Sequence, residues 1–93
     1  MLDAPLPDLI LYGRPGCGLC HEARELVTAM LGARSRAGLR TPALVERDIE
    51  TDPDLERAFF ATIPVIELGG RRLELAISAA KVGRLLGDVL DAA

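Results

Sequence analysis

Leu9-Ile10-Leu11-Tyr12 is a short apolar run closed by Gly13, Pro15 and Gly16, the pattern of a buried strand entering a turn. From Leu19 onward the period changes. Ala23, Leu26, Val27, Met30 and Leu31 recur at helical spacing with Glu22, Arg24 and Glu25 between them, which predicts a helix with one apolar stripe, stopped at Gly32. The stretch from Arg34 to Pro42 carries three arginines and no period, so it reads as a solvated connection. A weaker strand is expected over 43–49 on Leu44, Val45 and Ile49, making a parallel, right-handed strand–helix–strand unit. Asp52-Pro53 then marks a second helix start, a capping carboxylate followed by the one residue that loses nothing at the first helical position. Leu55, Ala58 and Phe59 are expected to face inward from it. Val65 to Leu68, Gly69-Gly70 and Arg71 to Leu75 form a hairpin pattern, with a Gly-Gly loop that tolerates positive φ. Ser78 is placed to cap a last helix whose apolar positions Val82, Leu85, Leu86 and Val89 fall at i, i+3, i+4 and i+7. Gly83 and Gly87 weaken it by about 1 kcal/mol each relative to alanine, so packing must hold it. The expected order is βαβαββα.

Composition narrows the class without changing that order. Ninety-three residues have room for one hydrophobic core, so residues 1–93 are read as a single domain. A chain that is 49% hydrophobic, with a mean hydropathy of +0.24, is too apolar to stay disordered, yet it holds no apolar run of the roughly 20 residues a membrane span needs. A net charge of −3 argues against binding nucleic acid by phosphate neutralisation. The acids concentrate in residues 46–57, where six carboxylates meet two arginines, the composition of a solvated face with helix-dipole complements. No basic, apolar and small-residue leader pattern opens the chain, so a cytoplasmic location is expected.

Two cysteines, Cys17 and Cys20, are too few and too close to staple a secreted scaffold, and in a reducing compartment such a pair is catalytic or metal-binding more often than structural. Lying between a strand and a helix, Cys17 falls at or near the helix N-terminus and Cys20 one turn further on. Free amides and aligned peptide dipoles there stabilise an anion by roughly 0.3 to 2 kcal/mol, which draws a cysteine thiol down from its usual value near 8.5. The position therefore assigns Cys17 as nucleophile and Cys20 as the resolving thiol that attacks the mixed disulfide. Zinc would need four ligands, and His21 is the only imidazole in the chain, so no metal site is expected. Cys17-Gly18-Leu19-Cys20-His21 also matches a c-type haem attachment motif. A motif that follows a strand, in a chain with only Met30 as a downstream distal ligand, does not suit it.

Leu11-Tyr12-x-Arg14-x-x-Cys17-x-Leu19-Cys20, followed in order by Asp48-Ile49, Asp52-Pro53, Ile63-Pro64-Val65 and Gly70-Arg71, resembles the glutaredoxin-like branch of the thioredoxin superfamily, and within it the short bacterial glutaredoxin-like proteins. The resemblance implies an α/β, thioredoxin-like fold with a four-stranded mixed sheet of order 2-1-3-4 flanked by three helices. It implies a cis Ile63–Pro64 peptide facing the cysteines, with the amide and carbonyl of Ile63 turned toward an extended thiol substrate, and Arg14 beside the motif to attract a carboxylate or support the thiolate. It also raises glutathione as a co-substrate. Against this, Gly18-Leu19 stands between the cysteines where glutathione-using members resemble one another in Pro-Tyr, and Glu74-Leu75 with Ile77-Ser78 stands where their Gly-Gly and Asp would fall. The expectation is a monomeric thiol–disulfide oxidoreductase without a resident cofactor, exchanging with a disulfide-bearing protein or a low-molecular-weight thiol. The alternative is a binding module without turnover, for a protein partner or for an iron–sulfur cluster shared through Cys17 across a dimer.

Overall fold

In a computed structural model, residues 5–91 are described. The elements are β1 (Leu9–Gly13), α1 (Gly18–Arg36), β2 (Leu44–Asp48), a single 3₁₀ turn (Ile49–Thr51), α2 (Pro53–Phe59), β3 (Val65–Leu68), β4 (Arg71–Leu73) and α3 (Ala79–Leu90). The four strands form one sheet in the order β2-β1-β3-β4. β1 and β2 are parallel, in register from Leu9 opposite Leu44 to Gly13 opposite Asp48. β3 runs antiparallel to β1 and β4 antiparallel to β3. This is the α/β, thioredoxin-like fold that the resemblance implies.

Alternation along β1 divides the interior in two, because successive strand side chains point to opposite faces. Leu9 and Leu11 pack with Ala23, Val27 and Leu31 of α1 and with Val82, Leu85, Leu86 and Leu90 of α3. On the other face Ile10 and Tyr12 join Val65, Ile49, Leu55 and Phe59 under the short α2, and Cys20 belongs to this second cluster. Ala58 is exposed, contrary to the inward position expected of it, since seven helical residues turn only Leu55 and Phe59 onto the sheet. β2 is an edge strand whose middle three residues are exposed, which accounts for its faint apolar signal. The hairpin loop has positive φ at both Gly69 and Gly70, as a primed two-residue turn requires. A side chain at Gly69 would also bring its Cβ within 2.8 Å of Val89 Cγ1.

Gly32 does not stop α1, which continues to Arg36. The stop is Gly38, at a φ of 74°: its amide donates to Ser35 O at 3.1 Å and the Leu39 amide to Arg34 O at 3.0 Å. That pair of bonds is a Schellman cap. Arg34, expected in a solvated loop, is instead nearly covered: its side chain is 11% exposed against 42% for Asp91. It donates through Nη2 to Asp91 Oδ1 at 2.6 Å, through Nη1 to Asp91 Oδ2 at 3.0 Å, and through Nε to Arg40 O at 2.9 Å. One guanidinium thus ties the end of α1 to the end of α3 and to the connection into β2.

The hydrogen bonds from Arg34 hold the Asp91 carboxyl below the usual carboxylate range, with the Arg34 and Arg40 charges adding to them. A lowered carboxyl stabilises the fold above the unfolded carboxylate value of about 3.9 and loses that contribution as pH falls through its lower folded value. Asp91→Asn is therefore expected to lower Tm by about 1 to 5 °C at neutral pH. The difference from wild type should shrink below about pH 3.9, as thermal melts between pH 2 and 7 will show.

Candidate functional site

The cysteines stand where β1 hands over to α1. β1 ends at Gly13, and its Cα lies so close to the second cysteine that a Cβ there would come within 3.1 Å of both Cβ and Sγ of Cys20. Arg14-Pro15-Gly16 turns the chain, Gly16 at a φ of 75°, and Cys17 is the N-cap of α1 in an extended conformation. An N-cap side chain normally offers an oxygen to the free amides of the first turn. Here the sulfur does so: the Cys20 amide donates to Cys17 Sγ at 3.1 Å. Cys17 and Cys20 are joined as a disulfide with their Cα atoms 5.2 Å apart. Cys17 is half-buried, whereas Cys20 is only 9% exposed and packs into the cluster beneath α2. The first turn of this 19-residue helix holds no acidic residue to compete with an anion at its N-terminus.

His21 is exposed and occupied by its own helix. Arg24 Nη2 lies 3.0 Å from His21 Nδ1, and since a guanidinium only donates, Nδ1 is the acceptor. The ring proton is then on Nε2, 3.6 Å from Glu25 Oε1.

Beneath the disulfide, Tyr12 and Phe59 stack with ring centroids 4.8 Å apart at 37°. The Tyr12 hydroxyl donates to Glu67 Oε1 at 3.2 Å. Burial first, then the Glu67 charge and that hydrogen bond, raise the phenol pKa, so Tyr12 is a neutral donor. Arg72 covers the outer side, its Cζ 4.8 Å from the centre of the Phe59 ring and its Nη2 3.4 Å from Glu67 Oε2. Apart from the Tyr12 phenol, no polar or charged side chain is buried among the described residues. The disulfide therefore rests on apolar and aromatic groups.

A cavity of about 460 Å³ lies between the start of α1 and the end of β2. Both cysteines line it, with Arg14, His21 and Arg24 from the α1 side and Glu46, Arg47 and Asp48 from β2. Arg14 thus shares a cavity with the cysteines. Ile63 packs in the same cluster as Cys20 and Cys17 and Pro64 is fully buried; neither lines this cavity.

The Ile63–Pro64 peptide is cis. One expectation for this segment needs correction. The Ile63 amide donates to Phe59 O at 3.1 Å, because the chain leaves α2 through a tight turn that uses it, and so it does not face an incoming strand. Thr62 O and Pro64 O accept from the Leu75 and Ala76 amides at 3.0 and 2.8 Å, which leaves the Ile63 carbonyl as the open backbone group of the three.

Glu46, Arg47 and Asp48 carry no local cue in the sequence as site residues. Their cue is topological: β1 and β2 are adjacent and parallel, and the crevice beyond the carboxyl ends of parallel strands is where α/β sheets bind ligands. Asp48 and Asp52 also act locally, accepting from the Glu50 and Asp54 amides at 2.9 Å each, so part of the acidic stretch serves as caps.

A mixed sheet of this order with a Cys-x-x-Cys pair at the start of the first helix defines a thioredoxin-fold protein. Residues 8–89 match the family model of the glutaredoxin-like domain (DUF836). The chain belongs to this glutaredoxin-like family of the thioredoxin superfamily. Among solved structures it is similar to protein XcR50 from X. campestris, at 31% identity and a TM-score of 0.67 over 86% of this chain and 96% of that one. It is also similar to protein Ne2328 from Nitrosomonas europaea, at 18% identity and a TM-score of 0.63 over 91% and 96% of the two chains. A mutant of the thioredoxin-like protein BC3987 aligns at 17% identity with a TM-score of 0.60, over 85% of this chain and 99% of that one. These last two likenesses speak for the fold alone. No curated protein matches the chain. No helix of the described residues is long and apolar enough to cross a membrane.

Proposed function

We propose that the protein is a cytoplasmic thiol–disulfide oxidoreductase in which Cys17 attacks and Cys20 resolves. One observation carries the reading: Cys17 Sγ occupies the N-cap position of α1 and accepts the Cys20 amide at 3.1 Å, a geometry that favours sulfur bearing negative charge. In the reduced protein the Cys17 thiolate attacks one sulfur of a substrate disulfide, forming a Cys17 mixed disulfide and releasing the other half as a thiolate that takes a proton from water. Cys20 then loses its proton toward the cavity and attacks Cys17 Sγ. The second substrate half leaves as a thiol, and the Cys17–Cys20 disulfide closes. The substrate gains two electrons and the protein loses two, which an external thiol or reductase restores.

The asymmetry in exposure supports this assignment, since the outer sulfur meets the substrate and the covered one attacks only within the protein. Cys20→Ser is expected to stop the sequence halfway. Incubated with a disulfide substrate, it should accumulate the mixed disulfide on Cys17, seen as one added half-substrate by intact mass and located by peptide mapping. A variant that gains no adduct, or an adduct found on Cys20 in Cys17→Ser at an equal rate, removes the assignment.

A further inference from the structure

Gly13 closes β1 opposite Asp48 in the parallel register, a place where glycine weakens a strand by offering no side chain to pack. Its backbone does not call for glycine, since its φ is not among the positive values found at Gly16, Gly38, Gly69 and Gly70. What calls for it is Cys20. A Cβ at Gly13 would stand 3.1 Å from both Cβ and Sγ of Cys20, and among the described residues those two atoms are all it would meet within 4 Å beyond its chain neighbours. Such contacts ordinarily run from about 3.5 to 4.0 Å, so Cys20 would have to give way. It has little room inward, where Ile49, Phe59 and Val65 are buried around it. The open direction is the cavity that both cysteines line.

We infer that Gly13 is a positioning residue for ring closure, the second half of the exchange: its bare backbone seats Cys20 so that the resolving sulfur stands ready to attack Cys17 Sγ. The inference rests on the exchange chemistry proposed above and concerns the step after the mixed disulfide has formed. There the Cys20 thiol gives its proton to water and its sulfur electron pair forms the bond to Cys17 Sγ. The bond from Cys17 to the substrate sulfur breaks, and the substrate half leaves as a thiolate that takes up a proton. A methyl group at position 13 turns the Cys20 sulfur toward the cavity and away from that attack. Misplacing a reacting group by an ångström can cost about a hundredfold in rate. Cys17 lies outside the 4 Å range of the added carbon, so the first half of the exchange is left as it was.

Gly13→Ala separates the two halves. Mixed with excess hydroxyethyl disulfide, the reduced variant should form the Cys17 adduct within about twofold of the wild-type rate and close the ring at least about tenfold more slowly. An adduct that is fleeting in wild type then accumulates, as acid-quenched intact mass will show. Closure at the wild-type rate overturns the inference, and so does equal slowing of both halves, which a general loss of structure would produce. A variant that does not fold also overturns it, because Gly13 would then serve the fold rather than the step. A second measurement is independent of turnover. A Cys20 bonded to Cys17 cannot turn away from the added methyl group, whereas a free thiol can, so the closed disulfide should open at a lower mercaptoethanol concentration in the variant than in wild type. An unchanged or higher midpoint rejects the seat. If wild type reduces no substrate disulfide, the exchange reading fails while this equilibrium still decides the role of Gly13.

Discussion

Cys17→Ser is expected to reduce disulfide turnover to the uncatalysed background, a loss of at least about a thousandfold in kcat/KM. The serine hydroxyl occupies the same N-cap position and offers an acceptor to the Cys20 amide, so the helix start is preserved and even favoured by residue type. What is lost is a sulfur able to exist as an anion near neutral pH, without which no mixed disulfide forms. Comparison with reduced wild type keeps the test clean, because neither protein then has the Cys17–Cys20 bond. Their Tm values should agree within a few degrees while their activities differ by orders of magnitude. A Cys17→Ser variant that still turns over a disulfide substrate would mean that Cys20, although only 9% exposed, can act alone.

The largest expected loss of stability lies at the other end of the sheet. Leu68 is fully buried at the end of β3, opposite Arg71, in the cluster that α1 and α3 cover. Truncation to alanine removes buried methyl groups and leaves a cavity that two helices and a sheet cannot fully close. Such changes cost about 2 to 5 kcal/mol, a large share of the roughly 5 to 15 kcal/mol that holds a small domain folded. Leu68→Ala is expected to lower Tm by about 10 to 25 °C, measured by calorimetry on the oxidised protein. The disulfide sits in the second cluster, beyond Tyr12 and Val65 at the opposite end of β3. At a temperature where Leu68→Ala remains folded, its exchange rate should therefore stay within about twofold of wild type.

How much of this was legible in the sequence depended on whether the physics was local. β1, the hairpin and both later caps were, because an apolar run, a Gly-Gly pair, Asp52-Pro53 and Ser78 act within a few residues of themselves. The end of α1 was not. Gly32 and Gly38 look alike along the chain, and only the amide bonds from Gly38 and Leu39 back onto the last turn distinguish a cap from a helical glycine. Arg34 read as a loop residue because its partner, Asp91, is 57 positions away. The placement of the cysteine pair was readable, since a strand, a turn and a helix start follow one another in sequence.

The cavity that surrounds the pair was half readable. Arg14 sits three residues before Cys17 and was identifiable from spacing. Arg24 enters from further along α1, while Glu46, Arg47 and Asp48 arrive through the parallel register of β1 and β2, a long-range pairing that a faint edge strand announces poorly. The Ile63 amide is hidden from the sequence for a related reason: family resemblance locates the cis peptide, but the bond to Phe59 O depends on how α2 ends.

The central claim is that the start of α1 makes Cys17 an attacking thiolate. Its most direct test is the iodoacetamide alkylation rate of Cys17 against pH in reduced Cys20→Ser, where Cys17 is the only thiol. A single titration is expected, with its midpoint clearly below the roughly 8.5 of a free cysteine. A midpoint at 8.5 or above would contradict it.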